Sequence, residues 1–339
     1  MKRALLTGIT GQDGLYLSEL LLGKGYEVHA ILRGQHNPKR EMVEQSVPGV
    51  HLHLGDLTDL GSLVRILALV EPEEFYNLGA ISYVAYSWDN PMVTSNVTGL
   101  GALNALEAVR LHCGRDPRRV RFYQASSSEM FDGTHGSPQT ESTLLHPRSP
   151  YGVAKVFAHH MTINYRESYG MHASSGILFN HESPRRGAEF VTRKVSRAVA
   201  RIALGLQDTL AMGTLTARRD WGFAGDYVDA MWRMVQQDEP GDYVVATGRS
   251  HSVADLLDVA FTRVGIRDWS GHVVQDQRFL RPAEIDELVG DAGLAKERLG
   301  WEPTVGFVDL VNMMVDHDLA DQERLHRVGV APATAALAL

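Results

Sequence analysis

Three glycines, at positions 8, 11 and 14, lie between an apolar run, Arg3-Ala4-Leu5-Leu6-Thr7, and a helical pattern through Leu17, Leu20 and Leu21 that ends near Gly25. The apolar run suits a strand buried on both faces of a parallel sheet. Strand, glycine turn and helix together make a phosphate site. Glycine lets the backbone approach a pyrophosphate, and the helix N-terminus offers free N–H groups at the positive end of its dipole. Gly8, Thr10, Gly11, Gln12, Asp13 and Gly14 are therefore the first candidate cofactor residues.

The following segments repeat the alternation. Glu27–Leu32 reads as a second strand ending at Arg33, with Lys39 and Arg40 in the polar loop beyond it. An acid at this strand end would bind the adenosine ribose of NAD, whereas an arginine accommodates the extra phosphate of NADP. A third strand covers His51–Leu57, where Asp56, next to Leu57, can accept from the adenine amino group. A helix over Leu60–Val70 and a strand over Phe75–Leu78 lead to Gly79-Ala80-Ile81-Ser82, whose small residues let the backbone pass close to a cofactor. A long helix spans Pro91 to Cys113, and Arg121 begins the next strand. Strands and helices alternating in this way build a doubly wound parallel α/β sheet of the Rossmann type, with ligands outside the carboxyl ends of the strands.

After Asn180 the pattern is less regular. The expected organisation is a dinucleotide-binding domain over 1–180 with return segments near 220–250. A smaller, discontinuous substrate domain covers most of 181–327, and a tail covers 328–339. A helix is expected near Val191–Leu206, a short strand near Thr209–Met212, and an amphipathic helix from Asp309 to Arg327 with Val311, Met314, Val315 and Leu319 at core spacing. A net charge of −8 argues against non-specific nucleic-acid binding but leaves room for a basic pocket. The single cysteine, Cys113, forms no internal disulfide and fits a reducing compartment. Neither a secretory leader nor a bilayer-spanning run is expected, so the reading is cytoplasmic.

The second constraining stretch runs from Gln124 to Lys155. Ser126, Ser127 and Ser128 end a strand, Glu129 follows, and Tyr151 and Lys155 share a helix face one turn apart. An ammonium there favours phenolate over phenol and draws the tyrosine toward neutral pH. A tyrosine tuned that way takes a proton from an alcohol while a cofactor takes the hydride. Simple alcohol oxidation does not require Glu129. That extra base points to a further step.

The glycine spacing, the serine-rich strand end and Tyr151-x-x-x-Lys155 resemble the extended short-chain dehydrogenase/reductase superfamily. Gly176–Gly187, Phe190–Lys194, Arg219-Asp220-Trp221-Gly222, Asp226-Tyr227-Val228, Arg281-Pro282-Ala283-Glu284 and Leu299-Gly300-Trp301 narrow the resemblance to the GDP-mannose 4,6-dehydratases over residues 1 to about 326. The resemblance implies a lyase that converts GDP-mannose to GDP-4-keto-6-deoxymannose. NADP oxidises C4, water leaves across C5 and C6, and the hydride returns to C6. It implies Tyr151 as base for the C4 hydroxyl, Lys155 as its partner, Ser127 as a substrate hydrogen bond and Glu129 as base for the C5 proton. Ser128 separates this family from dTDP-glucose dehydratases, which carry an aspartate there. His181 and Arg186 match cofactor contacts, as do Leu78, Gly79, Ala80 and Ser82. Ser87, Ser128, Asn180, Val191, Lys194, Arg219, Arg281 and Glu284 match substrate contacts. A homodimer or homotetramer is implied, and no metal: no His, Asp, Glu or Cys spacing suggests one.

Three stretches depart from the pattern. The loop Gly34-Gln35-His36-Asn37-Pro38 lacks the usual second arginine and serines, the segment between Trp269 and Arg278 is short, and Asp132 stands where glycine is common. The alternatives are a related nucleotide-sugar reductase or epimerase, and a non-catalytic NADP-binding protein. Both Tyr151 and Lys155 argue against the latter.

Overall fold

In the computed structural model, which describes residues 1–279 and 283–327, the apolar run at the N-terminus is strand β1 (Arg3–Thr7), with Ala4, Leu5 and Leu6 wholly buried. Strands β2 (Glu27–Leu32), β3 (His51–Leu54), β4 (Glu74–Asn77), β5 (Arg121–Ser127) and β6 (Ala173–Leu178) follow in chain order. They are succeeded by β7 (Asn180–Glu182), β8 (Leu210–Met212), β9 (Arg218–Phe223), β10 (Asp242–Val245), β11 (Ser250–Ser252), β12 (Val273–Gln275) and β13 (Glu287–Leu288). The helices are α1 (Gln12–Gly23), α2 (Arg40–Ser46), α3 (Leu60–Val70), α4 (Val84–Asp89), α5 (Pro91–Thr94) and α6 (Gly101–Cys113). The later ones are α7 (Pro150–Tyr169), α8 (Val191–Ala203), α9 (Ala224–Gln236), α10 (Val253–Arg263), α11 (Gly293–Leu299) and α12 (Phe307–Arg327).

Seven strands form one sheet in the order β10-β6-β5-β4-β1-β2-β3, and every neighbouring pair is parallel. The expected doubly wound sheet is thus present. The chain runs outward from β1 through β2 to β3, then returns to place β4 on the other side of β1. That reversal opens a crevice between the turns after β1 and β4, where such sheets hold ligands. One face is sealed by α1 and α9, whose Leu17, Leu21, Tyr227 and Met231 are buried with Ala4 and Leu6. The other is sealed by α3 and α6 through Leu63, Leu67, Leu106 and Val109, packed on Leu5 and Phe75. A separate core gathers Val195 and Val199 of α8, Leu257 and Phe261 of α10 and Met314 and Val315 of α12 around Trp221.

Several expected elements come out differently. The third strand ends at Leu54, so Asp56 and Leu57 lie in the turn beyond it. The helix over Pro91–Cys113 carries a π turn at Ser95–Leu100 where it packs on α7; a side chain on Gly99 would touch the Phe157 ring at 3.4 Å. Along α12, Val311, Met314 and Val315 are buried as the spacing requires. The next turn instead buries Asp318, which pairs with Arg193 at 2.7 Å and accepts from the Ser196 hydroxyl at 2.6 Å. Arg281 and the tail 328–339 lie outside the described residues. Among those described, no helix is long and apolar enough to cross a membrane.

The β2/β3 edge carries three stacked histidines. The His29 ring lies 4.9 Å from His51 and 5.1 Å from His53, and its Nδ1 is 2.9 Å from His53 Nε2. Burial first, and then the neighbouring histidines, hold His29 and His53 below the ordinary value of 6.5. Such groups bind fewer protons folded than unfolded. The stability they contribute is present above pH 6.5 and is lost as pH falls from there toward the folded values. Calorimetry is therefore expected to show the unfolding temperature dropping between about pH 7.5 and about pH 5.5, with a shallower drop in a His29→Gln, His53→Gln double variant. An equal drop in both proteins would assign the effect to other groups.

Candidate active site

The carboxyl ends of β1, β4 and β5 present a row of polar residues that the parallel register aligns: Thr7 opposite Asn77, and Asn77 opposite Gln124. Thr7 donates to Asn77 Oδ1 at 2.6 Å, the Asn77 amide donates to Gln124 Oε1 at 2.8 Å, and the Gln124 amide donates to the Ala125 carbonyl at 2.9 Å. Thr7 Oγ1 also accepts from the Gly79 N–H at 2.9 Å, tying the turn after β4 to β1. In the sequence the row shows as a polar residue ending each of two apolar strands, Thr7 and Asn77, and Gln124 in the middle of a third.

Beyond Gln124, β5 continues to Ser127 and tightens into a 3-10 turn, Ser128–Met130, in which Ser127 Oγ accepts from the Glu129 N–H at 3.2 Å. Helix α7 meets this turn head-on. Its first position is Pro150, preorganised for a helix, and Ser149 caps it by accepting from the Gly152 N–H at 3.0 Å. A Cβ on Gly152 would fall 2.3 Å from the Glu129 carbonyl, so only glycine lets the helix start this close. The contact brings Tyr151, Ser127 and Glu129 into one buried centre, each less than 9% exposed, and Tyr151 and Ser127 share a hydrogen bond.

Lys155 occupies the same helix face but points differently from the sequence expectation. Its Nζ donates to the Ala125 carbonyl at 2.6 Å and stands 5.7 Å from the centre of the Tyr151 ring. Burial pushes the Tyr151 phenol well above its usual value, the Ser127 hydrogen bond opposes this, and the Glu129 charge adds to it. Burial likewise lowers Lys155 from 10.5 to about 8, against the pull of Asp13. The expected depression of the tyrosine is therefore not built into the protein groups alone. Burial outweighs the nearby cations.

The turn after β1 has the properties a dinucleotide needs. Gly8 is left-handed, at φ 77°, and a Cβ there would lie 2.8 Å from the Leu78 carbonyl carbon. Gly11 caps α1 without a side-chain hydrogen bond, which leaves the helix N-terminus to a ligand, with Thr10 and Gly14 in the same turn. The side chains of this turn face inward instead. Gln12 donates to the His181 carbonyl at 2.6 Å and accepts from Ser183 at 2.9 Å. His181 Nε2 meets Asp13 Oδ2 at 2.9 Å, and its Nδ1 meets the Phe179 carbonyl at 2.8 Å. Burial works against both charges, yet each partner wins: Asp13 is held low and His181 is held high. Arg186, paired with Glu182 at 3.1 Å and lying over Phe190, is close enough to act on Asp13 and Tyr151. Arg33 is exposed just past β2, Ser82 is exposed after β4, and Ala80 and Leu78 are half-buried beside Gly79. Asp56 accepts from Thr58 at 2.8 Å, and Leu57 is buried beneath Gly79.

The expected substrate residues divide. Ser128 is buried in the Ser128–Met130 turn, and Asn180 Oδ1 is a buried acceptor with no hydrogen-bond partner among the described residues. Such an orphan fits a ligand group. Val191 begins α8, and Lys194, one turn on, has its ammonium 3.4 Å from the Phe279 ring centre; burial lowers it to about 8, against Asp276. Arg219 and Glu284, expected to contact different parts of the ligand, pair with each other at 3.3 Å. Ser87 is fully buried and donates to the Val84 carbonyl at 2.6 Å, so its hydroxyl serves its own helix. A cavity of about 430 Å³ beside Arg118, Arg166 and Glu239 lies at the amino ends of β5 and β6, away from these groups.

Residues 5–314 match the GDP-mannose 4,6 dehydratase family. The chain is 55% identical to GDP-mannose 4,6 dehydratase 1 of Arabidopsis thaliana over 326 residues, covering 94% of this chain and 90% of that one. It is 48% identical to the Homo sapiens GDP-mannose 4,6 dehydratase over 340 residues, covering 93% and 91%. Among solved structures it is similar to the Thermus thermophilus UDP-glucose 4-epimerase complex with NAD, at TM-score 0.80 and 28% identity over 93% of this chain and 98% of that one. It also resembles RMD from Pseudomonas aeruginosa complexed with NADPH, at TM-score 0.77 and 23% identity over 95% and 100%, which speaks to the fold alone.

Proposed function

The chain belongs to the GDP-mannose 4,6 dehydratase family, and on that premise we propose that it is a lyase converting GDP-mannose to GDP-4-keto-6-deoxymannose with NADP as resident cofactor. The observation that carries this reading is the buried carboxylate of Glu129, set in the turn that abuts the first residues of α7 beside Tyr151 and Ser127. An alcohol dehydrogenase needs the tyrosine and the serine; only an elimination needs the acid as well.

The uncapped N-terminus of α1 and the Gly8 turn fit the pyrophosphate, and Arg33 at the end of β2 favours the 2′-phosphate of NADP. When bound there, NADP+ would supply the hydride acceptor for C4 and the later donor for C6. Tyr151 takes the proton of the C4 hydroxyl while Ser127 hydrogen-bonds the same oxygen. The C4 ketone acidifies the C5 proton, which Glu129 removes and passes to the departing C6 hydroxyl, so that water leaves and the carboxylate is restored. A solvent proton, delivered by Glu129, returns to C5. Lys155 stays charged below about pH 8 and supplies the ammonium opposite the phenolate. Asn180 and Lys194, with Arg281 beyond the described residues, would hold the sugar nucleotide. Asp13, held by His181, keeps the glycine turn against β7.

Purified protein incubated with GDP-mannose and no added reductant is expected to yield the 4-keto-6-deoxy product over many turnovers, and acid extraction is expected to release NADP. Unchanged sugar in the presence of bound cofactor would overturn the reading. Product formed only with one equivalent of NADPH consumed would favour a reductase.

A further inference from the structure

We propose that Asp132, His135 and His146 form a binding site for one divalent transition-metal ion, with zinc as the type, that staples the loop joining the two halves of the catalytic centre. The site does not depend on the proposed activity. It follows from three side chains converging on one point.

Asp132 is three residues past Glu129, and its side chain is only 3% exposed. Carboxylate oxygen Oδ1 accepts from the backbone N–H of Thr134 at 2.8 Å and of His135 at 3.2 Å, which fixes the plane of the group. Oδ2 then faces His135 Nδ1 at 2.8 Å and His146 Nδ1 at 2.7 Å, with the Thr134 hydroxyl donating to it at 2.7 Å. The two rings stand at 82° with centres 5.4 Å apart, so their lone-pair directions cross near that oxygen instead of stacking. One donor atom from each residue lies within 4.8 Å of the other two.

The donor set selects the ion. Two imidazole nitrogens and one carboxylate oxygen suit Zn2+, Co2+, Ni2+ or Cu2+, whereas Mg2+ and Ca2+ prefer all-oxygen shells. A tetrahedral ion with bonds of about 2.0–2.1 Å holds its ligand atoms roughly 3.3 Å apart. The two oxygen–nitrogen separations therefore need to open by about half an ångström. The imidazoles can do this, because His135 and His146 are 44% and 54% exposed while the carboxylate stays fixed. Each imidazole binds the metal through Nδ1 in the tautomer that carries its proton on Nε2. Water takes the fourth position on the exposed side.

The surrounding loop is already held. The His146 N–H donates to the Met130 carbonyl at 2.9 Å, inside the turn that carries Glu129. Gln139 bonds to Val289 and Gly136 and accepts from the Asp291 N–H, anchoring the middle of the loop to the segment after β13. Three residues after His146 comes Ser149, the cap of α7. An ion joining residue 132 to residue 146 would therefore close the span between the Glu129 turn and the Tyr151 helix. The His29, His51 and His53 stack is a weaker candidate: its one hydrogen-bonded carboxylate, Glu27, approaches His29 at Nε2, on the side of the ring away from His53.

The test uses the full chain, without a polyhistidine tag, stripped with a chelator and titrated with ZnCl2 by calorimetry. One saturable ion per chain and a raised unfolding temperature are expected, with visible d–d bands when Co2+ replaces Zn2+ and no response to Mg2+. His146→Gln is expected to weaken zinc binding by more than about ten-fold and to lose the zinc-induced rise in unfolding temperature, measured from its own ion-free baseline. His135→Gln provides the same reading should the first variant fold poorly. Absence of saturable binding would overturn the proposal. So would unchanged affinity in both variants, which would place the ion on other histidines.

Discussion

In a Glu129→Gln variant, water elimination is expected to fall by a factor on the order of 10²–10⁴, the range for losing a positioned base, while oxidation at C4 survives. Glutamine has the shape of glutamate, and two of the contacts that hold this turn are made by its backbone. The N–H of residue 129 bonds Ser127 Oγ, and its carbonyl is the atom against which Gly152 packs. The turn should therefore persist. Charge works in the same direction: the Glu129 carboxylate raises the Tyr151 pKa, so its removal makes the phenol easier to ionise. The first half of the reaction thus loses nothing. In single turnovers the nicotinamide absorbance should appear and remain, and solvent deuterium should no longer enter C5. Full dehydration by the variant would remove Glu129 from the mechanism and with it the distinction between this centre and that of a dehydrogenase.

The parts of the centre that could be read from sequence are those set by local periodicity. The glycine turn lies between an apolar strand and a helix, and the serine-rich strand end precedes Glu129 directly. Tyr151 and Lys155 are one helical turn apart. Each of these arrangements needs only neighbouring residues. What stayed hidden depends on partners distant in sequence. Lys155 bonds a backbone carbonyl, Ala125, and a backbone acceptor leaves no mark in a sequence. Gln12 and Asp13 look like cofactor ligands beside the glycines, yet their side chains meet His181, about 170 residues later, because the first residues of α1 abut β7. The Arg219–Glu284 pair arises only when β9 meets the segment before β13, and the Asp132, His135 and His146 cluster only when one loop folds back on itself. The π turn at Ser95–Leu100 buries Thr98 and Gly99 and leaves Leu100 exposed, so the apolar residues carry no mark of it.

The Tyr151/Lys155 pair gives the other large expected effect. Tyr151→Phe removes the group proposed to take the C4 proton, and turnover should fall by about 10²–10⁴. Lys155→Met tests how that tyrosine is tuned. With burial alone acting, Tyr151 lies far above neutrality, and the ammonium is the protein charge on its own helix face that can bring it down. Because burial sets Lys155 near 8, the ammonium is progressively lost above that pH. The rate in the parent protein should rise with pH as Tyr151 ionises and fall again past about 8. In Lys155→Met the rate should be low at neutral pH and rise steadily into alkali, with no falling limb. Misfolding would not mimic this. A lysine whose folded pKa lies below its unfolded 10.5 binds fewer protons folded, so it costs stability below about 8, and that cost is relieved as pH rises from 8 to 10.5. Methionine removes the cost, by the shift on the order of 3 kcal/mol at neutral pH, and the Ala125 carbonyl keeps its bond from the Gln124 amide. The variant should be no less stable than the parent at pH 7 and still nearly inactive. A falling alkaline limb that persists in Lys155→Met would show that some other cation tunes Tyr151.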